Sequence, residues 1–543
     1  MISKVRNKQL NTIFLSILVF FAIFIVFPAL LLFKSAFTSG ISFSLANFKA
    51  VFEQGQLAKA FMNSTRVSLI SAVITTILAF ILAYTENFTN IPEPVKKILR
   101  TLAVFPMLLP TITYGFAIIY SFGRNGLLTN IFGHQLFDFY GFRGLIFGYV
   151  IYTLPISFTL IKNTMSYMDK RFLVVSRIMG DNCIKSFWTV ILQPLWGTIA
   201  VSLVQSFFLS FTDFGIPSSI GGRYLVVAEL LYNTMLGSIP NFHQGSVIAI
   251  IMLLPSIVSI LLLNFLQRYN VRYNKITKIE LKENIVRDVV FLVLSSVILI
   301  CVLSIFLVVL VSPFMSEWPY NKSFTFAHIQ RVFSDKALVR VFTNSLWISL
   351  LTALLGTGLV YASALVTARS KIHPRANMII ESIAQVTNTI PGMVLGIAFL
   401  LAFKGTFLQN TIWIIVFCNL IHFFATPYLM MKSTLDKMNS GWETTAAILG
   451  DNWIKTVVRV ITPNALPTLL EVFCYLFING MVTVSAVVFI AGAKTMVITT
   501  KIQELQHFAK FNEIFILSIL ILVTNLLIKT AKGVFNRRKS AEG

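Results

Sequence analysis

Charged residues are scarce in this chain, and acidic residues are the scarcest. Only 12% of the 543 residues are charged whereas 56% are hydrophobic, and the mean hydropathy is +0.80. Soluble domains carry about 25% charge, so this composition excludes a soluble globular protein. The 44 Lys and Arg residues outnumber the 21 Asp and Glu, but they fall in short loops between apolar runs. The charge bias of membrane proteins accounts for that distribution and argues against a nucleic-acid partner.

Cysteine and histidine are rare as well. The four cysteines and six histidines lie far apart, without the spacing of a metal-ligand set or a disulfide framework. No G-x-x-x-x-G-K-[ST] loop occurs, and residues 492–495 lack the glycine and spacing that cradle a phosphate. We therefore expect no metal, no cofactor and no enzymatic activity in this chain. His422, inside an apolar run, is interpreted as a packing residue, with a place in a transport pathway as the alternative.

The chain is rich in apolar runs of about 20 residues, the length that crosses a bilayer as a helix. They predict an all-α polytopic membrane protein. Twelve spans are predicted, at residues 12–33, 67–85, 102–123, 145–163, 195–212, 247–266, 289–311, 345–367, 378–403, 411–431, 466–490 and 514–528. Most Lys and Arg fall on the cytoplasmic side if both termini are cytoplasmic, which favours that orientation. The first run is too long for a signal-peptide core and is expected to be retained.

Two polar loops, half a chain length apart, share a short signature. Residues 180–185 read G-D-N-C-I-K and residues 450–455 read G-D-N-W-I-K, and a proline follows each. A second repeat precedes the second and eighth spans, where A-V-F…L…F…N-S at 50–64 matches R-V-F…L…F…N-S at 331–345. The second half is shorter by about eleven residues between these anchors, a difference that fits the connection from the third to the fourth span.

These repeats predict a duplication into two homologous six-helix bundles. The first bundle is residues 1–266 and the second is residues 289–543. Residues 267–288 form a polar cytoplasmic linker between them.

The G-D-N loops have the chemistry of a helix–turn–helix elbow. Gly180 can adopt the left-handed conformation that closes a helix, and Asp181 or Asn182 can cap the next one. A single copy would be interpreted as an ordinary capped turn, but two equivalent copies favour a duplicated docking surface in the cytoplasm. The residues expected to be exposed are Ile184, Lys185, Phe187 and Trp188 in the first elbow, and Trp453, Ile454, Lys455 and Val458 in the second.

The elbows resemble the Glu-Ala-Ala…Gly signature of the membrane permeases of binding-protein-dependent ABC importers. V-V-S-R-I-M precedes Gly180 and T-T-A-A-I-L precedes Gly450. Neither copy keeps the glutamate in register, although Glu443 lies one place early. Three further runs are similar to fused double permeases for ferric iron and 2-aminoethylphosphonate, a group that also includes thiamine permeases. They are S-F-T-D-F-G-I-P at 210–217, I-P-G-M-V-L-G at 390–396 and M-V-T-V-S-A-V-V-F at 481–489.

This resemblance implies the type I ABC importer permease fold in a bacterial inner membrane. It implies an extracytoplasmic substrate-binding protein and two ATPase subunits that bind ATP and Mg²⁺, with coupling loops near 170–190 and 440–460. It leaves the substrate open between ferric iron and a phosphonate. The residues implied to couple to the ATPase are Gly180, Asp181, Asn182, Lys185, Gly450, Asp451, Asn452 and Lys455.

Four residues are candidates for the translocation path or its gate: Asp213, Pro110, Pro391 and Ser485. An ionisable residue at the end of a span usually faces a cavity or caps a helix, and both alternatives stay open for Asp213. Pro110 and Pro391 interrupt corresponding spans and release backbone groups that a gate could use; simple kinks are the alternative.

Two rival functions remain. The first is an ion-coupled secondary transporter with two six-helix halves, but residues 86–100 lack the Asp-Arg pattern usual in such proteins, and buried charges are scarce. The second is a membrane scaffold without transport, which leaves the paired elbows unexplained.

Overall fold

The first half of the chain is a series of helices with one short β-hairpin. A computed structural model describes residues 2–39, 42–124, 126–135, 138–266, 284–369 and 374–542. Most of the predicted linker, residues 267–283, lies outside the described residues. The elements of the first half are α1 (Ile2–Phe21), α2 (Phe27–Phe37), β1 (Thr38–Ser39), β2 (Ser42–Phe43), α3 (Ala46–Glu53), α4 (Gln56–Phe88), α5 (Glu93–Val104), α6 (Thr111–Phe122), α7 (Leu127–Phe132), α8 (Phe142–Ser166), α9 (Arg171–Ile178), α10 (Cys183–Ser186), α11 (Gln193–Thr212), α12 (Gly215–Ile220), α13 (Val227–Leu236) and α14 (Phe242–Leu266).

The second half repeats this order. Its elements are α15 (Ile285–Val311), β3 (Met315–Glu317), β4 (Asn321–Phe324), α16 (Ala327–Ser334), α17 (Lys336–Arg369), α18 (Pro374–Thr387), α19 (Gly392–Phe403), α20 (Ile412–His422), α21 (Ala425–Lys437), α22 (Gly441–Ile448), α23 (Trp453–Thr456), α24 (Thr462–Val482), α25 (Ile498–His507) and α26 (Phe511–Glu542). One turn of π-helix joins α1 to α2, α10 to α11 and α23 to α24. Both hairpins are antiparallel.

The number of membrane-crossing helices agrees with the sequence. Within the described ranges, nine helices are long and apolar enough to span a bilayer, or up to twelve if each of three bent helix pairs counts as one span. Helices suit this setting because they satisfy their own backbone hydrogen bonds in lipid. The fold is therefore all-α and polytopic.

Three predicted spans are not continuous helices. The third bends by 105° between α5 and α6, and the ninth by 104° between α18 and α19. Pro110 and Pro391 stand directly before α6 and α19. A proline has no N–H to donate to the preceding turn, so the helix does not continue through it. The tenth span bends by 56° between α20 and α21, where Pro427 cannot donate to the carbonyl of Phe423.

The predicted end of the eleventh span was also wrong. Helix α24 ends at Val482, and residues 485–490 form turns instead of continuing to 490. The run of β-branched and small residues there is apolar, which is why hydropathy alone extends the span.

Side-chain hydrogen bonds repeat between the halves along with the helices. Ser64 accepts from the Val227 backbone N–H at 2.9 Å at the start of α13, and Ser345 accepts from the Ile498 N–H at 2.8 Å at the start of α25. The connection 123–141 is eleven residues longer than its counterpart 404–411. The length difference predicted from the repeat anchors is thus confirmed at the predicted place.

Each half packs its first helix against the other half. The ring of Phe24, between α1 and α2, lies 4.5 Å from that of Phe417 in α20. In the opposite direction, Ser295 of α15 hydrogen-bonds Thr85 of α4 at 2.7 Å, and the Phe291 ring lies 4.3 Å from that of Tyr84. The two sets of helices are therefore interlocked.

Candidate functional site

The first elbow is a short helix, a glycine turn and a second short helix. Helix α9 ends before Gly180, whose φ of +82° lies in the left-handed region. The Asp181 N–H then donates back to the Ser176 carbonyl at 3.0 Å, which closes the helix end. Asn182 caps α10, because its side-chain oxygen accepts from the Lys185 N–H at 2.8 Å. Of the two predicted caps, Asn182 is the one that the structure uses.

Asp181 holds the turn from inside. Its carboxylate lies 2.6 Å from the Lys185 ammonium and accepts from the Ser176 hydroxyl at 2.8 Å. The Lys185 and Ser176 hydrogen bonds hold the pKa of the Asp181 carboxyl below its ordinary value. Lys185 is therefore engaged within the elbow, although its side chain is still largely exposed.

The second elbow has the same backbone and one different cap. Gly450 has a φ of +81°, and the Asp451 N–H donates to the Ala446 carbonyl at 2.9 Å. Lys455 and Asp451 form the equivalent ion pair. Asn452 makes no side-chain cap of α23, so the shared G-D-N sequence gives a shared turn without a shared cap.

Each elbow has two highly exposed apolar side chains just before the glycine. Ile178 is 80% exposed and Ile448 is 81% exposed, and their neighbours Met179 and Leu449 are nearly as open. Sequence reasoning missed this pair because it compared the residues before the glycine only with the Glu-Ala-Ala signature and sought the exposed apolar residues after the glycine. The signal was available, since two large apolar residues precede each glycine in a loop predicted to be cytoplasmic.

Two residues predicted to be exposed on the elbows are not. Trp453 is 6% exposed, and Phe187 is only partly exposed because its ring packs against Phe80 and Tyr84 of α4. Trp453, the first residue of α23, is therefore buried within the protein and is not available to a partner. Ile184, Trp188, Ile454 and Val458 are exposed as expected.

In the first half, the structure brings Asp213 to the break that Pro110 makes. Asp213 follows α11 and is buried; its carboxylate accepts from the Ile216 N–H at 2.9 Å. Thr111 lies close by, because a Cβ on Gly215 would be only 2.2 Å from its hydroxyl. Thr111 is the first residue of α6, directly after Pro110. The carboxylate thus binds the start of α12, which packs directly against the start of α6.

The second half makes the equivalent contact between the start of α19 and Ser485. Gly392, directly after Pro391, lies so close to Ser485 that a Cβ atom there would collide with the Ser485 hydroxyl. In the first half the glycine belongs to the turn and not to the broken span. A Cβ on Gly215, after α11, would collide with the hydroxyl of Thr111, at the start of α6. Both halves therefore press the broken span against the turn after α11 or α24, each with a glycine on one side.

His422 lies beside this second contact. Its Cε1 would be 3.2 Å from a Cβ on Gly392, and its Nδ1 is buried with no hydrogen-bond partner among the described residues. The packing interpretation leaves that nitrogen unexplained. Among the described residues, no three His, Cys, Asp or Glu side chains gather closely enough to hold a metal ion.

A duplicated set of membrane helices, with a paired elbow and a paired interruption, defines an internally repeated membrane permease. The family model of the "binding-protein-dependent transport system inner membrane component" matches residues 75–275 and 361–541. The chain belongs to this family, as a fused permease of the ABC importer type. Its members are transport subunits of the inner membrane, and the chain is thus a multi-pass permease and not an enzyme.

Individual relatives agree with the duplicated architecture. The ferric transport system permease protein FbpB of Actinobacillus pleuropneumoniae is 23% identical over 90% of this chain and 72% of its own length. A putative ferric transport system permease protein FbpB 1 of Haemophilus influenzae is 22% identical over 89% of this chain and 77% of its own. The molybdenum transport system permease protein ModB of Escherichia coli K12 aligns over 93% of its length with 39% of this chain, at 23% identity. A single-unit permease thus corresponds to less than half of this chain.

Proposed function

We propose that this chain forms the translocation path of an ATP-driven importer and couples it to two separate ATPase subunits. One ATPase would dock at the first elbow, within residues 170–190, and one at the second, within residues 440–460. The observation that carries the proposal is the pair of equivalent elbows, each with a left-handed glycine and an exposed apolar pair at its tip. Large apolar side chains exposed on a polar loop are typical of a protein interface.

In this proposal the ATPases bind ATP and Mg²⁺, and a substrate-binding protein delivers its ligand from outside. Both termini and the polar linker are cytoplasmic, and the bundles divide at residues 267–288. ATP-driven closure of the ATPases moves the elbows and rocks the two sets of helices. This chain needs no cofactor of its own for that motion.

Ferric iron is the proposed substrate. Two relatives that align with about nine-tenths of the chain are ferric permeases by name, and this favours iron over a phosphonate. The path residues would be Asp213 and Pro110 in the first half and Ser485 and Pro391 in the second. Their support is the paired contact between each broken span and the turn opposite it.

Cross-linking tests the docking sites directly. Ile178→Cys and Ile448→Cys, each in a chain whose native cysteines have been replaced, should cross-link to the co-expressed ATPase. Ile239→Cys is the matched control, because Ile239 is at least as exposed but lies in the turn between α13 and α14 on the predicted outer side. Cross-links at position 239 but at neither elbow would refute the docking assignment. Uptake driven by an ion gradient in vesicles without ATP would instead support the ion-coupled alternative.

A further inference from the structure

Arg369, the last residue of α17, is held almost completely inside the protein. Its side chain is only 3% exposed, and it forms a two-pronged ion pair with Glu443 of α22. The Nε atom donates to Oε1 at 2.6 Å and Nη2 donates to Oε2 at 2.5 Å. This fork-to-fork geometry fixes both the distance and the orientation of the two groups.

The remaining N–H groups of Arg369 bind the end of the preceding helix. Nη1 donates to the carbonyls of Met438 at 2.8 Å and Leu435 at 3.4 Å, and Nη2 donates to the carbonyl of Asn439 at 2.9 Å. These carbonyls end α21, where a cation is favoured. One guanidinium therefore joins three helices: α17, the end of α21, and α22, which is the first helix of the second elbow.

Among the described residues of the first half, no such clamp joins α4 to the first elbow. In the register set by Asn63 and Asn344, the counterpart of Arg369 is Phe88, and in the register of the elbow glycines the counterpart of Glu443 is Leu173. The Lys170 ammonium lies 5.8 Å from the centre of the Phe88 ring. A half-exposed cation over a ring is a weaker and less directional contact than a buried bidentate ion pair.

We propose that Arg369 is a positioning residue that makes α17 and the second elbow one rigid unit, so that the second elbow transmits ATPase motion to the membrane helices more directly than the first. This inference rests on the proposed docking of an ATPase at each elbow. It also assigns Glu443 an inward role: its carboxylate is bound by Arg369 and is turned away from the docking partner. The two elbows have similar exposed residues around the glycine, but they differ in their contacts with α4 and α17.

The experiment follows the motion of α17 without using a substrate. Spin labels are placed at Met62→Cys and Thr343→Cys, equivalent exposed positions on α4 and α17, in a chain without native cysteines. The distance between the labels is measured in the complex with its ATPase, before and after trapping with ATP and vanadate. In the parent chain the distance should change on trapping.

The decisive variant is Arg369→Met with Glu443→Leu, which removes both charges and keeps the side-chain volume. The ATPase should still co-purify, whereas the change in label distance should shrink by at least about twofold. The control is Lys532→Met with Glu471→Leu, which removes another ion pair of the second half, of 3.0 Å between α26 and α24. The control should keep the full distance change.

A full distance change in the decisive variant with ATPase bound would overturn the inference. Loss of the ATPase at normal folded yield would also overturn it, because the pair would then shape the docking surface. If the double variant does not fold, Arg369→Lys decides, since lysine keeps the charge but cannot reach both carboxylate oxygens and the carbonyls together. An unaltered distance change in Arg369→Lys would refute the inference. Absence of the ATPase from the parent complex would instead refute the proposed function.

Discussion

At the scale of single residues, Gly180 and Gly450 decide the shape of the elbows. Their φ values lie in the left-handed region, and apart from the glycine and its two chain neighbours no heavy atom lies within 4 Å of the place where a Cβ would sit at either position. A substitution there therefore meets no steric obstacle, and its effect comes from the backbone conformation alone. This separates the conformational role of the glycine from any contact that it makes.

Gly450→Val should lose ATPase association, whereas Gly450→Asn should keep most of it. Valine in the left-handed conformation costs roughly 1–2 kcal/mol, whereas asparagine is, after glycine, a residue found at this position of a helix end. Gly180 should behave in the same way. Co-purification of the ATPase with each variant at equal membrane yield is the measurement, and equal retention by Val and Asn would contradict the prediction.

Substitutions of Asp213 can distinguish its two possible roles, as a helix cap and as a residue of the translocation path. Asp213→Ala should lower the free energy of unfolding by about 0.5–2 kcal/mol, because it removes the acceptor at the start of α12. If Asp213 lines the path, Asp213→Asn should reduce ferric uptake per folded molecule while ATPase association and thermal stability stay near the parent values. Uptake at the parent rate in Asp213→Asn would leave Asp213 as a helix cap.

At the scale of elements, the interrupted spans show what hydropathy can and cannot predict. The number of spans, the repeat and the shortened connection follow from apolar runs and shared residues. The breaks at Pro110 and Pro391 were visible as prolines, but a proline can kink a helix slightly or turn the chain by 104°. Which of these occurs depends on the packing partner, here Asp213 or Ser485, which no local pattern reveals.

The elbows show the same division between local and distant information. Gly180 and Gly450 were predicted as turn residues from their type and position, and their conformations fit. The burial of Trp453 and the ion pair of Glu443 with Arg369 could not be predicted, because both depend on which helix lies behind the elbow. Glu443 lies one place before the glutamate position of the family signature, and its partner Arg369 is 74 residues away in the chain. No local pattern connects the two residues.

Gly392 and Gly215, the glycines at the two contacts between a broken span and a turn, lead to a prediction. Gly392→Ala should destabilise the protein by about 1–3 kcal/mol through overpacking, and a second change, Ser485→Ala, should restore most of the loss by removing the hydroxyl. In the first half, Thr111→Ala should not rescue Gly215→Ala, because the backbone nitrogen of Ile112 would still lie 2.7 Å from the new Cβ. Unfolding of the four variants in detergent measures both cases, and equal rescue in the two halves would contradict the prediction.

At the scale of the whole molecule, the orientation of the chain in the membrane can be tested by labelling its loops. Single cysteines at positions 223 and 494 should react with an impermeant thiol reagent from outside, and cysteines at 278 and 450 only after the membrane is opened. Position 278 lies in the linker, outside the described residues. Reaction of position 278 from outside would overturn the assignment of twelve spans with cytoplasmic termini.

The exchange of first helices between the halves has a consequence for how the gene could be divided. Because α1 and α2 pack on the second half and α15 packs on the first, neither half covers its own surface alone. The linker then serves mainly to raise the local concentration of one fragment near the other. Two polypeptides split within 267–283 and produced together should recover each other as a heterodimer, whereas either fragment made alone should be degraded. Such a cut chain would resemble two single-unit permeases that recognise one another by trading a helix.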